Sequence, residues 1–253
     1  MTIRTVAFAL LLAAQPMVAA AQSTSSPLLS PQDLVAVIET EAPLILDIRG
    51  ADSYADGHLE GAVNVPYALF RGPDENPGQL PTDAELTEIL QSLGITADRP
   101  TVITYQGSSD TDFGSATRVY WTLKSSGVST LAILNGGLNA WTEAGLALDD
   151  AAVTPARSDI TVSFSNQWMA TEADVLDVVE GRASATLVDA RPESFWAGRD
   201  AHAAAARPGT LPQSEYFTYS NWFRTGATTV DGDAVRELAA DAGYTAEDNL
   251  ISF

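Results

Sequence analysis

The spacing of apolar and polar positions predicts strands that alternate with helices. Short apolar runs that end in polar residues occur in "PLILDIR" at 43–49, "TVITY" at 101–105 and "TLAIL" at 130–134. Such runs are typical of parallel strands that are covered on both faces. The segment at 113–127 instead has helical apolar spacing and a glycine stop. This alternation favours parallel βαβ units and predicts an α/β domain over residues 30–150.

Two helix starts carry capping signals. Ser30, followed by Pro31 and Asp33, predicts a helix with Leu34, Val35 and Ile38 facing inward. Thr82 and Glu85 have the spacing of a capping box, and Gly94 closes the helix that they open. These signals fix where two of the predicted crossover helices begin.

The pattern of the first domain then starts again. The stretch "LILDIRGADSY" at 44–54 is echoed by "TLVDARPESFW" at 186–196, so that Asp47 matches Asp189 and Arg49 matches Arg191. The stretch at 98–105 matches 246–253, so that Phe253 falls on Tyr105. An internal match of this kind indicates two copies of one structural unit. We therefore predict a second domain at 157–253, which is incomplete because the first copy continues past Tyr105 through a loop, a helix, a strand and a Gly-Gly turn.

The N-terminus has the features of a secretory signal peptide at 1–21. Arg4 precedes an apolar run at 6–14, and small residues at 19–21 supply a cleavage site. A membrane anchor is the alternative, but Gln15 and Pro16 leave the run shorter than the ~20 residues that a spanning helix needs. We expect a linker at 22–29, a periplasmic or secreted location, and no membrane association after cleavage.

Charge and composition exclude several function classes. With 13 Lys and Arg against 33 Asp and Glu, the net charge is −20, which opposes nucleic acid and anionic lipid as partners. The chain has two histidines and no cysteine, which argues against a zinc site. His58 lies in a predicted turn, where a structural hydrogen bond is favoured over a role as general base. No serine hydrolase, zinc protease or P-loop motif occurs.

Three ordered landmarks resemble the rhodanese homology domain. These are the Asp47-Ile48-Arg49 tripeptide, "GHLEGAVN" at 57–64 and "NGGLNAW" at 135–141. The chain from about residue 28 to 253 is similar to tandem-domain rhodaneses of the thiosulfate or 3-mercaptopyruvate sulfurtransferase kind. The resemblance implies an α/β fold with two rhodanese-like domains, each an open, mainly parallel sheet flanked by helices.

The resemblance also implies where the chemistry takes place. Members of the family carry a cysteine in a loop between the central strand and a helix, where converging amides lower the thiol pKa. In the first copy Gln106 occupies the cysteine position, so Gln106, Gly107 and Arg118 form a degenerate site. Asp110 and Asp112 near this loop would oppose an anion. In the second copy the cysteine is expected just after Phe253, so the 253-residue chain is expected to be inactive.

The resemblance places a substrate pocket at Asp189, Arg191 and Arg199. It implies a small sulfur-containing anion as donor, a thiol or cyanide as acceptor, and no cofactor or metal. Phe195 stands where many thiosulfate-type enzymes carry a second arginine, which weakens thiosulfate as the donor. An Asp189–Arg191 ion pair with a structural role is the alternative for these residues. For the whole protein the alternative is a non-catalytic binding or regulatory module of the cell envelope.

Overall fold

Two parallel β-sheets joined by an extended linker make up the protein. The computed structural model describes residues 26–203, 205–223 and 228–253. The predicted signal peptide at 1–21 lies outside the described residues. No helix within these ranges combines the length and apolar character that a membrane span requires.

The first sheet has five parallel strands in the order β1-β5-β4-β2-β3. They are β1 (Leu28–Leu29), β2 (Leu44–Asp47), β3 (Val63–Asn64), β4 (Thr101–Thr104) and β5 (Leu131–Leu134). Every residue of β2, β4 and β5 is buried, as the apolar runs predict. The sheet begins at Leu28, two residues before the domain boundary predicted at residue 30.

Helices cover both faces of this sheet. They are α1 (Pro31–Glu41), α2 (Ala51–Ala55), α3 (Asp83–Ser92), α4 (Asp110–Ser125) and α5 (Gly137–Glu143). Leu44 and Leu46 of β2 pack with residues of α3 and α4, whereas Ile45 packs with residues of α1, α2 and α5. Successive strand residues point to opposite faces, so the short apolar run supplies two cores at once.

The start of α1 follows its predicted cap, but its buried face differs from the prediction. The Ser30 hydroxyl accepts a hydrogen bond from the Asp33 amide, and the Asp33 carboxylate accepts in return. The structure buries Leu34 and Val37, whereas Ile38 is 36% exposed. The prediction for Ile38 was wrong, because the contact face of this short helix is centred on the Leu34 and Val37 pair at i and i+3.

The second sheet has three described strands in the order β7-β6-β8, all parallel. They are β6 (Thr186–Asp189), β7 (Glu215–Tyr216) and β8 (Leu250–Ser252), and the helices are α6 (Glu172–Val179), α7 (Glu193–Trp196) and α8 (Gly232–Asp241). The order β7-β6-β8 corresponds to β3-β2-β4 of the first sheet. The prediction of an α/β fold with parallel sheets flanked by helices is confirmed.

The two sheets differ in burial. Val102 and Ile103 of β4 are fully buried, whereas Leu250 of the matching strand β8 is 40% exposed. Helix α8 has no buried residue, although the matching helix α3 buries Leu86 and Leu90. In the described residues β8 pairs with β6 alone. The dense core of the molecule therefore lies in the first domain.

Candidate active site

An aspartate and an arginine form a rigid pair where β2 ends. Arg49 donates from its Nε and NH2 to the carboxylate of Asp47, which is fully buried. The same NH2 donates to the Gly57 carbonyl at 2.6 Å, which ties the pair to the predicted glycine turn. The remaining NH1 donates to Oε1 of Gln106 at 3.2 Å. Arg49 therefore reaches the residue that the resemblance predicts at the cysteine position.

Gln106 is held on its other side as well. Its Nε2 donates to Oδ1 of Asn139 at 2.8 Å, and Asn139 Nδ2 donates to the Gly107 carbonyl at 3.2 Å. Gly107 has φ +83°, and a Cβ there would collide with the carbonyl oxygen of Gly136. A glycine is therefore required at this position for both conformation and space. The loop after β4 is a closed polar network with both ends of the Gln106 amide satisfied.

The amides of this loop are occupied by an internal carboxylate. Oδ2 of Asp112 accepts hydrogen bonds from the amides of Gly107 at 2.8 Å and Ser108 at 3.1 Å, and from the Ser108 hydroxyl at 3.2 Å. The Ser109 hydroxyl caps α4 by accepting from the Asp112 amide. The sequence predicted that Asp112 would oppose an anion. The structure adds that its carboxylate accepts hydrogen bonds from two amides of this loop.

The second domain repeats the aspartate–arginine pair where β6 ends. Arg191 donates from Nε and NH2 to Asp189, and from NH2 to the Gly209 carbonyl at 2.9 Å. Thr210 adds a hydroxyl hydrogen bond to Asp189 at 2.7 Å. Burial alone would raise the pKa of Asp189, but the hydrogen bonds from Arg191 and Thr210 outweigh it and hold the pKa below its ordinary value. Asp189 is therefore an ionised anchor for Arg191.

The two arginines differ at NH1. Arg49 NH1 is bound to Gln106, but Arg191 NH1 makes no hydrogen bond to any described residue. The Arg191 side chain is 35% exposed, against 8% for Arg49. Its guanidinium carbon lies 5.5 Å from the ring centre of Phe253 and 5.9 Å from that of Phe195. The second pair thus presents a free, positively charged N–H beside the end of β8.

The other predicted site residues lie elsewhere. Arg199 forms an ion pair with Glu193, its side chain is 60% exposed, and no hydrogen bond in the described residues joins it to Asp189 or Arg191. Arg118 donates to the Gly78 carbonyl at 3.0 Å and is not bonded to Gln106 or Gly107 within the described chain. The structure thus pairs Asp189 with Arg191, and it links the Gln106 side chain to the Gly107 carbonyl through Asn139. The roles assigned to these residues stay predictions.

His58 is fully buried and has structural contacts. Its ring stacks on Tyr54 with 3.7 Å between ring centres. Nδ1 lies 2.8 Å from the Tyr54 carbonyl oxygen, and Nε2 lies 3.2 Å from that of Ala151. The backbone of His58 also forms an antiparallel bridge with Asp149. These contacts join the glycine turn to the start of the interdomain linker, as expected for a structural role.

A seam of side chains joins the first domain to the second domain. Asn135 donates from Nδ2 to the Val230 carbonyl at 2.7 Å and accepts from the Val230 amide at 2.9 Å. Phe113 packs edge-on against Phe223, with ring centres 5.4 Å apart. Sequence reasoning placed Asn135 in a family landmark but missed this contact. Its only sequence signal is a polar residue at the carboxyl end of β5, where ligands and interfaces gather in α/β sheets.

No group of three or more metal-ligating side chains occurs in the described ranges. The aspartate–arginine pairs place a carboxylate and a cation at the same point of each sheet. They can orient an anion or a neighbouring side chain. The 253-residue sequence contains no cysteine.

Comparisons with known proteins give one consistent result. Residues 30–144 match the family model described as a rhodanese-like domain. A putative thiosulfate sulfurtransferase, SseB, of Mycobacterium tuberculosis is 27% identical over 237 residues, which cover 88% of this chain and 81% of the relative. The 3-mercaptopyruvate sulfurtransferase of Escherichia coli is 29% identical over 193 residues, which cover 75% and 67%. The crystal structure of SseA from Escherichia coli, a 3-mercaptopyruvate sulfurtransferase, aligns with a TM-score of 0.73 at 22% identity over 90% of this chain and 87% of that one.

Proposed function

Because residues 30–144 match the rhodanese-like domain model, we propose that this chain is an exported tandem rhodanese that transfers sulfane sulfur. The proposed donor is thiosulfate or 3-mercaptopyruvate, and the acceptor is a thiol or cyanide. Its relatives are named as sulfurtransferases for these two donors. The proposed nucleophile is a cysteine at the position that follows Phe253. Residues 1–253 contain no cysteine, so on their own they are expected to be inactive.

One observation carries the proposal, namely the free NH1 of Arg191. In the first domain the matching NH1 holds the side chain of Gln106, the residue that follows Tyr105. Phe253 corresponds to Tyr105, so Arg191 NH1 would face a side chain at the next position or the anion bound to it. A guanidinium N–H at this place would help to keep a thiol ionised and to hold an anionic donor.

The proposed chemistry needs only the thiolate and its surroundings. The thiolate attacks the outer sulfur of thiosulfate, a new S–S bond forms, and sulfite leaves with the electron pair of the old S–S bond. With 3-mercaptopyruvate, the thiolate attacks the sulfur atom and a new S–S bond forms. The C–S bond breaks, and its electron pair leaves with the carbon as the enolate of pyruvate, which takes up the proton of the donor thiol. In the second half an acceptor thiolate or cyanide attacks the outer sulfur of the persulfide and restores the cysteine thiolate.

A discontinuous thiosulfate:cyanide assay tests this assignment. The 253-residue chain should give no thiocyanate above the enzyme-free rate. The gene should be read past codon 253 and its full product assayed in parallel. If a cysteine follows and the product turns over, Arg191→Gln should reduce kcat/KM by about tenfold to a hundredfold, because a charged hydrogen bond is lost. Arg182→Gln is the matched control, because Arg182 pairs with Asp177 and Glu180 on the surface of the same domain.

A non-catalytic module is the second candidate, and the closed Gln106 network favours it. Gln106 bonds to Arg49 and Asn139, and Asp112 bonds to two loop amides. A loop whose polar groups are bonded within the protein is what we expect of a non-catalytic module. A true stop after codon 253 would support the module. Turnover by the 253-residue chain would overturn both candidates as formulated, because it would require a nucleophile other than cysteine.

We also propose that the protein is exported and that residues 1–21 are removed. The apolar run at 6–14 and the small residues at 19–21 support this. Mass spectrometry of the protein from a periplasmic or culture fraction should give Gln22 as the first residue. An intact Met1 in the membrane fraction would favour an anchor instead.

A further inference from the structure

Thr210 gives the second aspartate–arginine pair a hydrogen-bond donor that the first pair lacks. Its hydroxyl donates to Oδ2 of Asp189 at 2.7 Å. In the first domain, every hydrogen bond to the Asp47 carboxylate within the described residues comes from Arg49. The added hydroxyl is therefore a difference in how the two domains hold their arginines.

Thr210 takes the place that His58 has in the first domain. Each of these residues follows the glycine whose carbonyl accepts from the NH2 of the paired arginine. The ring nitrogens of His58 face the carbonyls of Tyr54 and Ala151. The side chain of Thr210 points instead to the carboxylate of its own pair. Equivalent positions of the two turns thus have different contacts.

The hydrogen bond from Thr210 has a defined direction. An ionised carboxylate can only accept, so the hydroxyl proton of Thr210 goes to Asp189. The Ser214 hydroxyl lies 2.9 Å from the Thr210 oxygen and 2.7 Å from the Leu211 carbonyl oxygen, and it is the donor in both contacts. The turn after β6 therefore holds the Thr210 hydroxyl in the orientation that binds Asp189.

Four hydrogen bonds fix the carboxylate of Asp189, which is fully buried. Oδ1 accepts from the Arg191 amide at 3.0 Å and from its Nε at 2.9 Å. Oδ2 accepts from its NH2 at 2.6 Å and from the Thr210 hydroxyl. A carboxylate has about four acceptor positions, so these donors fill them. Since both oxygens are held, the plane of the guanidinium that they bind is set as well.

Arg191 depends on this support because it lacks the tether that Arg49 has. Arg49 NH1 binds Gln106, whereas Arg191 NH1 has no hydrogen bond to the described part of the chain. The Arg191 side chain is also the more exposed of the two. An exposed side chain gains rotational freedom unless its contacts restrict it. The fixed Asp189 carboxylate supplies that restriction.

We propose that Thr210 is a positioning residue that aims the free NH1 of Arg191 at an anionic sulfur donor by fixing the carboxylate of Asp189. Thr210 acts through Asp189 and does not itself bind the donor. The assignment rests on the proposed sulfur transfer, but the positioning is a property of residues 1–253 and is measurable without turnover.

NMR spectroscopy of the 253-residue chain tests the positioning. Thr210→Val removes the hydroxyl and keeps the shape of the side chain. The pKa of the Asp189 carboxyl should then rise, because one of the hydrogen bonds that oppose the effect of burial is lost. The order parameter of Arg191 Nε–H should fall from about 0.85, typical of a rigid group, toward about 0.6. Thr210→Ser returns the donor and should restore both values.

Thr218→Val is the matched control. Thr218 also pairs with a serine hydroxyl of the second domain, that of Ser220 at 3.1 Å, and its side chain contacts no carboxylate among the described residues. It should leave Asp189 and Arg191 unchanged. If Thr210 only stabilised the turn, Thr210→Val would lower stability without moving the Asp189 titration. That result, no recovery in Thr210→Ser, or equal shifts in both valine variants would contradict positioning.

A second measurement separates this inference from the proposed function. In the full gene product, Thr210→Val should raise the KM for the sulfur donor by about threefold to tenfold with a smaller change in kcat, because binding of the donor by Arg191 is weakened. An unchanged KM in an active product would count against the role of Thr210. If the unmodified product gives no turnover, the proposed sulfur transfer fails, while the NMR measurement still decides whether Thr210 positions Arg191.

Discussion

At the scale of single residues, internal hydrogen bonds satisfy the polar groups of the loop after β4. Gln106 satisfies the guanidinium of Arg49, Asn139 satisfies Gln106, and Asp112 satisfies two loop amides. The sequence predicted the substitution at Gln106 from the resemblance. The role of Asp112 was not predicted, although Ser109 and Asp112 have the spacing of a helix cap. The spacing of Ser109 and Asp112 indicates a helix cap, but it does not indicate that the Asp112 carboxylate also accepts a hydrogen bond from the Gly107 amide.

The contact of Asp112 predicts a measurable stability. Asp112→Ala leaves the amides of Gly107 and Ser108 without their acceptor and should lower the free energy of unfolding by about 1–3 kcal/mol. Urea denaturation followed by circular dichroism measures it. Asp110→Ala is the control, since Asp110 is also in the first turn of α4 but, among the described residues, accepts only from Thr111 beside it. Equal losses in both variants would assign the effect to the helix dipole and not to the loop.

Asp189 predicts a specific pH dependence. Its pKa is lowered in the folded state, so the ionised carboxylate contributes stability at neutral pH. That contribution is present above the unfolded value of about 3.9 and is lost as the pH falls through the lower folded value. The stability difference between the unmodified protein and Asp189→Asn should therefore be largest near neutral pH and shrink in acid. Urea unfolding at a series of pH values measures it, and a pH-independent difference would contradict the role of the charge.

At the scale of elements, side chains at the carboxyl ends of strands make contacts that position the neighbouring loops. Asp47, Asp189 and Asn135 each follow or close a parallel strand, and each makes a contact that positions a neighbouring loop. The apolar runs predicted the strands themselves, because burial on both faces leaves a clear signature. They could not predict the Asn135–Val230 pairing, because it joins residues 95 positions apart and depends on how the domains dock.

Asn135→Ala should loosen the seam between the domains. It removes both hydrogen bonds to Val230, and the loss should be about 1–3 kcal/mol in the local opening of that segment. Hydrogen exchange at the Val230 amide reports it directly. Asn166→Ala, in the linker, is the control, because no hydrogen bond of its side chain occurs in the described chain. Unchanged protection of Val230 would show that packing, not Asn135, holds the seam.

The matched strands β4 and β8 should differ in exchange. Residues of β4 are fully buried and paired on both edges, whereas β8 pairs with β6 alone in the described residues and is largely exposed. Amides of Leu250–Ser252 should exchange at least about a hundredfold faster than those of Thr101–Thr104. Comparable protection would mean that another element covers β8 in solution.

At the scale of the whole molecule, the net charge is expected to affect thermal stability. A net charge of −20 implies strong mutual repulsion among carboxylates in the folded state. Raising sodium chloride from about 0.05 M to about 0.5 M should raise the Tm by ~3 °C or more, because screening relieves that repulsion. Differential scanning calorimetry measures it. A constant or falling Tm would show that repulsion among the acidic residues does not destabilise the folded state.

The carboxylate of Asp112 would oppose a reactive thiol in the loop after β4. Gln106→Cys alone would place a thiol next to a loop whose amides are already taken by a negative charge, which favours the unreactive protonated form. It would also leave Arg49 and Asn139 without their partner amide. A reactive thiol at this loop would therefore require coordinated changes at two or more positions of the first domain.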